Sequence, residues 1–572
     1  MTSREGSEPH PTDPTLRRIA QGTLSGTLAA NGTLVWRGIP FAMPPVGPLR
    51  WKAPRPPAAF SGHFEAVRDG SPSVQGESLA APFVDDDGDG LVGSEDCLYL
   101  NVFAPAEVTK PLPVMFWVHG GGNVGGHNAS PTYDGRLLAE RHGVVVVTVN
   151  YRLGMLGWFL HPAFATPDSS PEDLSGNWGI LDVIRGLEWL RDNIAAFGGD
   201  PGNVTLFGES AGGLNTCALL LSPCAKGLFH RAIVQSGGVP TSALASATNF
   251  LDDTEPGHEN SAREVLNRLL VQLGRAHDRA EAKALQLQLS AAEIRELLYS
   301  QTPAQMIRLM NPEGLRLYGA PRVLLDGHVL PREPALQAFA SGRFNKVPVI
   351  LGTNRDERRL YLFRDPRFTR VLANAPGDYI RYAHFGSLAW KLHSVDDVAR
   401  AMYEAGHRDI YTYRFDWDEQ GVIDGVDLSL GLGAAHAVEI PFVFGLGVGL
   451  ATFGDPQAAG RVALTKSVQS YWTEFAYHGA PGSGRAGDEL AWLPWVSGED
   501  AAKTLVLDTA ADGGIRMTSE QITRETLRSA VLHEAGFSDR GLQADLYREL
   551  FGRRAFERDF APLQRAGESA ST

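Results

Sequence analysis

The sequence predicts an α/β fold with a mostly parallel central sheet, helices on both faces and a helical cap insertion. The chain has 572 residues, of which 43% are hydrophobic and 21% charged, a composition typical of soluble globular domains. Continuous apolar runs at residues 113–120 and 143–151 indicate strands that are buried on both faces of a parallel sheet. These runs alternate with segments of helical periodicity, which is the pattern of βαβ units.

The first elements follow from local patterns near the N-terminus. Residues 1–20 are polar and rich in proline, so we expect a flexible tail ahead of a single domain at residues 21–535. Alternating apolar and polar residues around Asn31-Gly32 predict a β-hairpin with a primed turn. Apolar residues recur at helical spacing from Ile180 to Phe197, and the glycine that follows is a plausible C-terminal cap.

Further strands and helices complete the predicted α/β order. Strands are expected at residues 203–207, 231–237, 347–354 and 409–417. Residues 240–345 have helical periodicity and are interpreted as an insertion that covers one edge of the sheet and the active site. Residues 536–572 are charged and helix-prone, which predicts a C-terminal helical extension.

Composition and charge exclude several classes of function. The chain carries 52 Lys and Arg against 66 Asp and Glu, a net charge of −14, which argues against a nucleic-acid partner. An apolar run of about 18 residues, which a membrane span requires, is missing, and the N-terminus has no apolar core of a secretory signal. Three cysteines, Cys97, Cys217 and Cys224, favour a reducing cytoplasm. The oligomeric state is not predictable from these observations.

One motif places a serine between two glycines where a strand meets a helix. In NVTLFGESAGG, residues 203–213, Ser210 lies between Gly208 and Gly212. A nucleophile elbow needs this order, because small neighbours allow the strand and the helix to pack closely around a strained serine. The helix N-terminus also stabilises negative charge near Ser210. The pattern alone is weak evidence, since a glycine-rich turn would look the same.

A second motif upstream supplies an anion site. In VHGGGNVGG, which begins at residue 118 after a buried strand, the glycines allow backbone amides to point at a ligand. The amides of Gly121 and Gly122, together with that of Ala211, would form an oxyanion hole. The two motifs in this order are far more specific than either one alone.

Many further motifs occur in register with these two. They include GIPFAMPPVGPLRWKAP, SEDCLYLNVFAP, VNYRLGMLGWF, GNWGILD, FHRAIVQSGG, GTNRDE, AAHAVEIPFVFG and YWTEFAYHGAPG. Over roughly residues 20–500 the chain resembles the type-B carboxylesterase and cholinesterase family of α/β-hydrolases. The resemblance implies an α/β-hydrolase fold and hydrolysis of small-molecule carboxylic esters without a metal or organic cofactor.

The resemblance also implies a catalytic triad in the chain order of this fold. Ser210 is the expected nucleophile, Glu357 of GTNRDE the acid and His436 of AAHAVEIPFVFG the base, with Asp356 as the competitor of Glu357. We expect a serine carboxylesterase that acts on small neutral esters through an acyl-enzyme. A lipase or polyester-type hydrolase is the alternative, and an amidase, a transacylase or a non-catalytic binding protein is less favoured.

Departures from the family pattern refine these expectations. Secreted relatives pair the cysteine of SEDC with an upstream cysteine, whereas the matching position here is Ser73, so Cys97 is expected to be a free buried thiol. The chain has no tryptophan shortly before Cys97, which disfavours choline esters. Asn123 replaces an aromatic residue after the oxyanion glycines. Arg358 and Arg359 follow the predicted acid and are interpreted either as groups at the pocket rim or as surface residues.

Several other residues are expected to have supporting roles. Arg50 and Glu95 correspond to a structural ion pair of the family, and Arg152 is expected to be similar. His119 is interpreted as a loop-shaping residue, and Glu209 as a group that tunes the site or a buried hydrogen-bond partner. A calcium-binding loop is a minor hypothesis for residues 85–96, because its acidic residues have the spacing of such a loop; the proposed ligands are Asp85, Asp87, Asp89 and Asp96.

Overall fold

The computed structural model describes residues 13–77, 90–310, 319–446 and 454–561. The contacts within the chain group these residues into two compact units. The first unit runs to Val234 and from Val239 to Pro348, and the second comprises Gln235–Gly238 and the residues from Val349 onward. The single domain predicted at residues 21–535 stays a prediction, and the C-terminal helices belong to the second unit.

The first unit contains a twisted sheet whose middle strands are parallel. In spatial order its strands are Thr27–Leu28, Thr33–Pro40, Tyr99–Pro105, Val145–Val149, Leu112–Val118, Gly199–Glu209 and Arg231–Gln235, of which the residues up to Val234 belong to this unit. Leu112–Val118 is buried along its whole length and pairs in parallel with both of its neighbours. The apolar runs are therefore strands buried on both faces, as predicted.

The N-terminal region contains the predicted hairpin and one departure from the prediction. Thr27–Leu28 pairs antiparallel with Thr33–Pro40 around Asn31-Gly32. Arg17–Ile19, however, is a strand that pairs with Gly22–Ser25, which in turn pairs with His63–Glu65. The tail predicted up to residue 20 is therefore wrong for residues 17–19. Their polar side chains suggested a tail, but the Arg17 guanidinium lies 4.7 Å from the centre of the Trp36 ring and the backbone is paired.

Helices of the first unit flank this sheet or form the insertion. The flanking helices are Arg136–His142, Gly154–Gly157, Trp178–Asn193 and Ala211–Leu221. The helix at Trp178 continues as a 3₁₀ turn at Ile194–Phe197 and ends at Gly198 with φ of 84°, as its sequence predicts. The insertion is helical, with helices Leu244–Thr248, Ala262–Gln272, Arg279–Gln286, Ala291–Tyr299, Pro303–Met310 and Ala335–Ala340. Two short strand pairs join Ser242–Ala243 to Leu324–Leu325 and Gln75–Gly76 to Leu91–Val92.

The strands of the second unit are again mostly parallel. Val349–Asn354, Ile410–Phe415 and Thr504–Leu507 are parallel neighbours, and Arg516–Thr518 adds an antiparallel edge. A two-stranded ribbon joins Val422–Ile423 and Val426–Asp427. The helices are Arg359–Phe363, Pro366–Asn374, Pro376–Lys391, Asp397–Glu404, Leu428–Gly431, Ile440–Phe444, Ala459–His478, Arg524–His533, Arg540–Phe551 and Arg553–Ala555.

The C-terminal helices pack into the core of the second unit. Tyr379 and Tyr382 of the helix Pro376–Lys391 share a buried cluster with Leu527 and Tyr547 of the C-terminal helices. The helix Arg540–Phe551 lies within the predicted C-terminal extension, so the helical prediction holds there. In the part of the chain that the structure covers, no helix is long and apolar enough to cross a lipid bilayer.

Candidate active site

Ser210 lies on a sharp turn between the strand Gly199–Glu209 and the helix Ala211–Leu221, named here the elbow helix. Its φ of 56° and ψ of −120° are unusual for a residue with a side chain and store strain. A Cβ on Gly212 would lie 1.9 Å from the carbonyl oxygen of Val118, and one on Gly208 would lie 2.6 Å from the carbonyl carbon of Gly212. Both glycines are therefore required by close backbone packing, as the elbow motif predicts.

The glycine loop, Gly120–Gly122, passes directly beside this serine. A Cβ built on Gly120 would lie 3.2 Å from the Cβ of Ser210. Gly121 and Gly122 have φ of 105° and 63°, values that side chains disfavour. Ala211 is the first residue of the elbow helix, so its amide has no acceptor within that helix. The first unit thus brings Ser210, Gly121, Gly122 and Ala211 together.

Two side chains that were not identified from the sequence, those of Asn215 and Arg322, hold the glycine loop and the residue after it. Asn123 has φ of 57° and exchanges two amide hydrogen bonds with Asn215 of the elbow helix, at 3.2 and 2.9 Å. Arg322 of the insertion donates from Nη1 to the carbonyl oxygen of Gly122 at 2.7 Å. Asparagine tolerates left-handed backbone better than other residues with side chains. Asn123, already noted in the sequence after the three glycines, is thus suited to this backbone, whereas no local pattern marks Asn215 or Arg322 as its neighbours.

His119 shapes the loop, in agreement with its interpretation from the sequence. Its ring stacks on Tyr151 at 4.5 Å, and its Nδ1 lies 2.8 Å from the carbonyl oxygen of Gly120. The Tyr151 hydroxyl donates to the carbonyl oxygen of His119 at 2.8 Å. Burial lowers the pKa of His119 to about 3, so the imidazole is neutral at physiological pH. Glu209 is also buried, with 2% of its surface exposed.

The second unit brings the predicted acid and base together. Glu357 Oε2 lies 2.5 Å from Nδ1 of His436, and both side chains are buried. Glu357 Oε1 accepts from the Thr353 hydroxyl and from the Asn354 amide, each at 2.8 Å. The two oxygens are thus both engaged, and the carboxylate is held in one orientation.

Asp356, the competitor of Glu357, has a different environment. Its carboxylate pairs with Arg355 and Arg359, each at 3.0 Å, and accepts from the Ala434 amide at 3.1 Å. These contacts hold the backbone near Glu357 against the segment that contains Ala434. Of the two neighbouring carboxylates, it is therefore Glu357 that contacts His436.

A second buried carboxyl group, Glu439, lies behind this pair and was not identified from the sequence. Asn354 Nδ2 donates to Glu439 at 2.6 Å, and Gln235 Nε2 donates to its other oxygen at 3.1 Å. Gln235 in turn accepts from the indole N–H of Trp472 at 3.1 Å. Burial raises the pKa of Glu439, and the nearby charge of Glu357 raises it further. The sequence feature that could have identified Glu439 is its position inside the apolar run AVEIPFVF.

Two half-buried aromatic side chains lie beside His436 and were also missed. The ring centre of Trp390 is 4.9 Å and that of Tyr361 is 5.6 Å from the imidazole. The two aromatic rings stack on each other at 5.9 Å. Trp390 also donates to the carbonyl oxygen of Ser236 at 3.3 Å. They give this part of the second unit an apolar surface.

The arginines after the acid both pair with groups of the second unit. Arg358 binds Glu549 of a C-terminal helix at 2.5 Å. Arg359 is 8% exposed, pairs with Asp356 and donates to the carbonyl oxygens of Ser429 and Leu430 at 3.2 Å. The surface interpretation fits Arg358, whereas Arg359 is buried because its neighbours satisfy its charge. The alternative role at a pocket rim stays a prediction.

The supporting ion pairs of the first unit form as expected. Arg50 binds both oxygens of Glu95 at 2.5 and 2.6 Å. Arg152 does the same with Asp182, at 2.8 and 2.7 Å, and both side chains of that pair are fully buried. Each arginine is engaged by both oxygens of its carboxylate partner, which agrees with a structural role.

Cys97 is a free buried thiol, as predicted from its missing partner. Its neighbour is Ser73, whose hydroxyl interacts with the thiol, and burial raises the pKa of Cys97. The Leu153 amide also donates to the Ser73 hydroxyl at 3.1 Å. Ser73 therefore occupies the position from which a second cysteine would form a disulfide.

The calcium hypothesis stays untested. Asp85, Asp87 and Asp89 lie outside the described residues, and Asp96 accepts a hydrogen bond from the Tyr99 hydroxyl at 2.8 Å. Within the four described ranges, no group of three His, Cys, Asp or Glu side chains is arranged to hold a metal ion.

Comparisons with solved structures identify the class of protein that this fold and site define. A PNB esterase aligns with a TM-score of 0.66 and 30% identity, over 90% of this chain and 99% of that one. A carboxylesterase of Geobacillus stearothermophilus aligns with a TM-score of 0.67, 30% identity and the same coverage. The chain therefore has the α/β-hydrolase fold, as predicted.

Comparisons of sequence identify the family. Residues 13–376 match the Carboxylesterase family. The chain is 35% identical to the para-nitrobenzyl esterase of Bacillus subtilis (strain 168), over 85% of this chain and 94% of that protein. It is also 35% identical to the fumonisin B1 esterase of Sphingopyxis macrogoltabida, over 82% and 84%. The chain belongs to the carboxylesterase family, and it is a carboxylic ester hydrolase.

Proposed function

We propose that the chain hydrolyses small neutral carboxylic esters through Ser210, His436 and Glu357 and an acyl-enzyme intermediate. The observation that supports this most is the buried contact of 2.5 Å between Glu357 and Nδ1 of His436. A base held this way keeps its Nε2 available as a proton acceptor. The strained turn at Ser210 is the second support, because strain of this kind is typical of a nucleophile.

In the proposed acylation, Ser210 Oγ attacks the ester carbonyl carbon as its proton moves to Nε2 of His436. Glu357 stabilises the imidazolium that forms and does not itself take the proton. The carbonyl oxygen becomes an oxyanion and binds the amides of Gly121, Gly122 and Ala211. Removing one such donor from a hydrolase typically lowers kcat about 10²- to 10³-fold. The bond to the alcohol then breaks, and His436 returns its proton to the leaving alkoxide.

Deacylation repeats these steps with water as the nucleophile. His436 takes a proton from water, the hydroxide attacks the acyl carbon, and the same amides bind the second oxyanion. The proton then returns to Ser210 Oγ as the carboxylic acid leaves. These steps require no metal or organic cofactor. The neutral His119 does not take part, because its pKa of about 3 makes it a poor base.

The proposal that the substrate is a small neutral ester is supported by the side chains around His436. Trp390 and Tyr361 give the base an apolar setting, which favours uncharged groups. The related para-nitrobenzyl esterase has a name that describes a small ester substrate. A lipase-like preference for long acyl chains is the alternative. Cytoplasmic location is part of the proposal, supported by the unpaired thiol of Cys97 beside Ser73.

The test is hydrolysis of p-nitrophenyl esters of increasing acyl length by wild type and Ser210→Ala. We expect kcat to fall about 10⁴-fold or more in the variant. Ser222→Ala, at the other end of the elbow helix, is the matched control and should keep most of the activity. A Ser210→Ala variant with near wild-type kcat would overturn the proposed nucleophile. The acyl length with the highest kcat/KM separates the small-ester proposal from the lipase alternative.

A further inference from the structure

Arg322 connects the helical insertion to the glycine loop through a hydrogen bond. Its guanidinium Nη1 donates to the carbonyl oxygen of Gly122 at 2.7 Å, and the side chain is half-buried. Gly122 is one of the three residues whose amides form the proposed oxyanion hole. An arginine of the insertion is thus hydrogen-bonded to the backbone that would hold the reaction's negative charge.

The backbone around Arg322 is fixed in an unusual conformation. Val323 has φ of 53°, and this region is unfavourable for a β-branched residue. The Arg322 amide donates to the Ser242 hydroxyl at 3.3 Å, and the carbonyl oxygen of Val323 accepts from the Ser242 amide at 3.1 Å. Such strain persists only where the surroundings determine the conformation, and it is concentrated at functional sites.

The same segment is attached to the helix that flanks the sheet. Asn177, which precedes the helix Trp178–Asn193, accepts from the Leu324 amide and donates to the Leu324 carbonyl oxygen, both at 2.8 Å. The Asn177 side chain is fully buried. The segment that carries Arg322 is therefore hydrogen-bonded to the start of the helix Trp178–Asn193, and through Arg322 it restrains the glycine loop.

The glycine loop needs restraint from outside. Gly121 and Gly122 have no side chains to pack, and glycine has the widest choice of backbone conformations. A hydrogen bond from a charged donor is stronger than a neutral one. By binding the Gly122 carbonyl oxygen, Arg322 opposes rotation of the Gly122 backbone. Asn215 restrains the next residue, Asn123, through their two amide hydrogen bonds.

We infer that Arg322 is a positioning residue for the oxyanion hole, acting through the backbone of Gly122. The inference rests on the proposed function, since it assigns the restraint to amides that bind the oxyanion. Arg322 need not touch the substrate. Its effect should appear in the transition state, where the oxyanion exists, and much less in the binding of the uncharged ester.

The experiment compares Arg322→Met and Arg322→Lys with a matched control, Arg295→Met. Arg295 also lies in the insertion and donates to a backbone carbonyl oxygen, that of Ala163, at 2.6 Å. Each variant is assayed for kcat and KM on a p-nitrophenyl ester and for inhibition by a trifluoromethyl ketone. The serine adduct of that ketone places an oxyanion in the hole, so its Ki reports transition-state binding.

For Arg322→Met we expect kcat to fall about 10- to 100-fold while KM changes less than about 3-fold. The Ki of the ketone should rise by the factor by which kcat/KM falls. Arg322→Lys should recover part of both, because an ammonium can donate to the same oxygen. Arg295→Met should change neither. If Arg322→Met does not fold, the lysine variant carries the test, with a smaller parallel change in kcat and Ki.

Three outcomes would overturn the inference. They are an Arg322→Met variant with wild-type kcat and Ki, a loss of kcat that Ki does not follow, and an equal loss in Arg295→Met. Failure of the proposed function is distinguishable in the same assay. If Ser210→Ala kept its activity, the proposed nucleophile would fail irrespective of the Arg322 variants.

Discussion

The two units hold their reactive groups by different physical means. In the first unit, the backbone itself positions Ser210 and the glycine loop, through positive φ angles and contacts that leave no room for a Cβ. In the second unit, side chains do the positioning. Glu357 accepts from Thr353 and Asn354 and contacts His436, while Asn354 also binds Glu439.

This difference determines what a mutation should do in each unit. A backbone-built site fails when any bulk is added, because the chain has no alternative conformation of similar energy. A site built from side chains fails when a single donor or acceptor is replaced, even if the shape is kept. Substitutions that add bulk should therefore impair the first unit, which contains Ser210. Substitutions that keep the shape but change one hydrogen-bonding atom should impair the second unit, which contains Glu357 and His436.

After loss of the nucleophile itself, the largest expected effect is that of Glu357→Gln in the second unit. The glutamine oxygen can still accept from Thr353 and Asn354, but its NH₂ group would face Nδ1 of His436. That contact favours the imidazole tautomer with its proton on Nε2, which cannot accept the Ser210 proton. We expect kcat to fall about 10³- to 10⁴-fold with little loss of stability. Steady-state kinetics and thermal unfolding measure the two quantities.

Asp356→Asn is the matched control, since it makes the same chemical change one residue earlier. Asp356 pairs with Arg355 and Arg359, so this variant should lose stability and keep most of its kcat. If Asp356→Asn lost more kcat than Glu357→Gln, the acid assignment would be wrong.

The second expected effect is steric and lies in the first unit. Gly212→Ala would place a Cβ 1.9 Å from the carbonyl oxygen of Val118, so the strand Leu112–Val118 and the elbow helix must move apart. We expect a loss of about 3 kcal/mol or more in the free energy of unfolding. Urea unfolding followed by tryptophan fluorescence measures it.

Gly498→Ala is the control for this prediction. Its nearest neighbour would be the Ala501 side chain at 3.5 Å, an ordinary contact, so stability should change little. Equal stabilities of the two alanine variants would contradict the close packing described for the elbow.

The same difference explains how much of the site could be predicted. Backbone-built features leave local signatures, and the elbow, the glycine loop, the hairpin and the buried strands were all visible as short patterns. Glu357 and His436 have no such signature and were found only through the family resemblance. Arg17–Ile19 was missed because a polar strand at a sheet edge has the composition of a tail.

The remaining contacts could not be predicted, because they join residues that are far apart in sequence. Arg322 binds a carbonyl 200 positions away, and Gln235 binds Glu439 at a separation of 204. No periodicity or motif links such pairs. Their side-chain types were visible, but the partner that fixes each role is defined only by the folded chain.

The third prediction concerns acid, and it follows from burial of His119 in the first unit. The folded chain lowers the pKa of His119 to about 3, while the unfolded chain has the ordinary value of about 6.5. Below pH 6.5 the unfolded state therefore binds a proton that the folded state refuses. Stability that is complete above pH 6.5 is lost as the pH falls toward 3, by about 2 kcal/mol at pH 5.

Comparison of wild type with His119→Gln isolates this contribution. The free energy of unfolding of each protein is measured at pH 7.5 and at pH 5. The value for wild type minus the value for His119→Gln should be about 2 kcal/mol lower at pH 5 than at pH 7.5. His277→Gln, in an exposed position, should show no such change. A difference that is independent of pH for His119→Gln would mean that His119 is not buried in the neutral form.

The smallest expected effect is a gain, obtained by adding a covalent restraint in the first unit. Ser73 interacts with the Cys97 thiol, so Ser73→Cys should form a disulfide on oxidation. Closing the loop between residues 73 and 97 should add about 3.5 kcal/mol by chain entropy, and loss of the acceptor for the Leu153 amide should remove about 2 kcal/mol. The net gain in unfolding free energy is about 1 to 2 kcal/mol, which urea unfolding with and without reductant measures.

The double variant Ser73→Cys with Cys97→Ser keeps the new thiol without a partner and should show no gain. If Ser73→Cys fails to lose two hydrogens by mass spectrometry after oxidation, the two positions are not in bonding geometry. The contact between Ser73 and Cys97 would then be a hydrogen bond that a disulfide cannot replace.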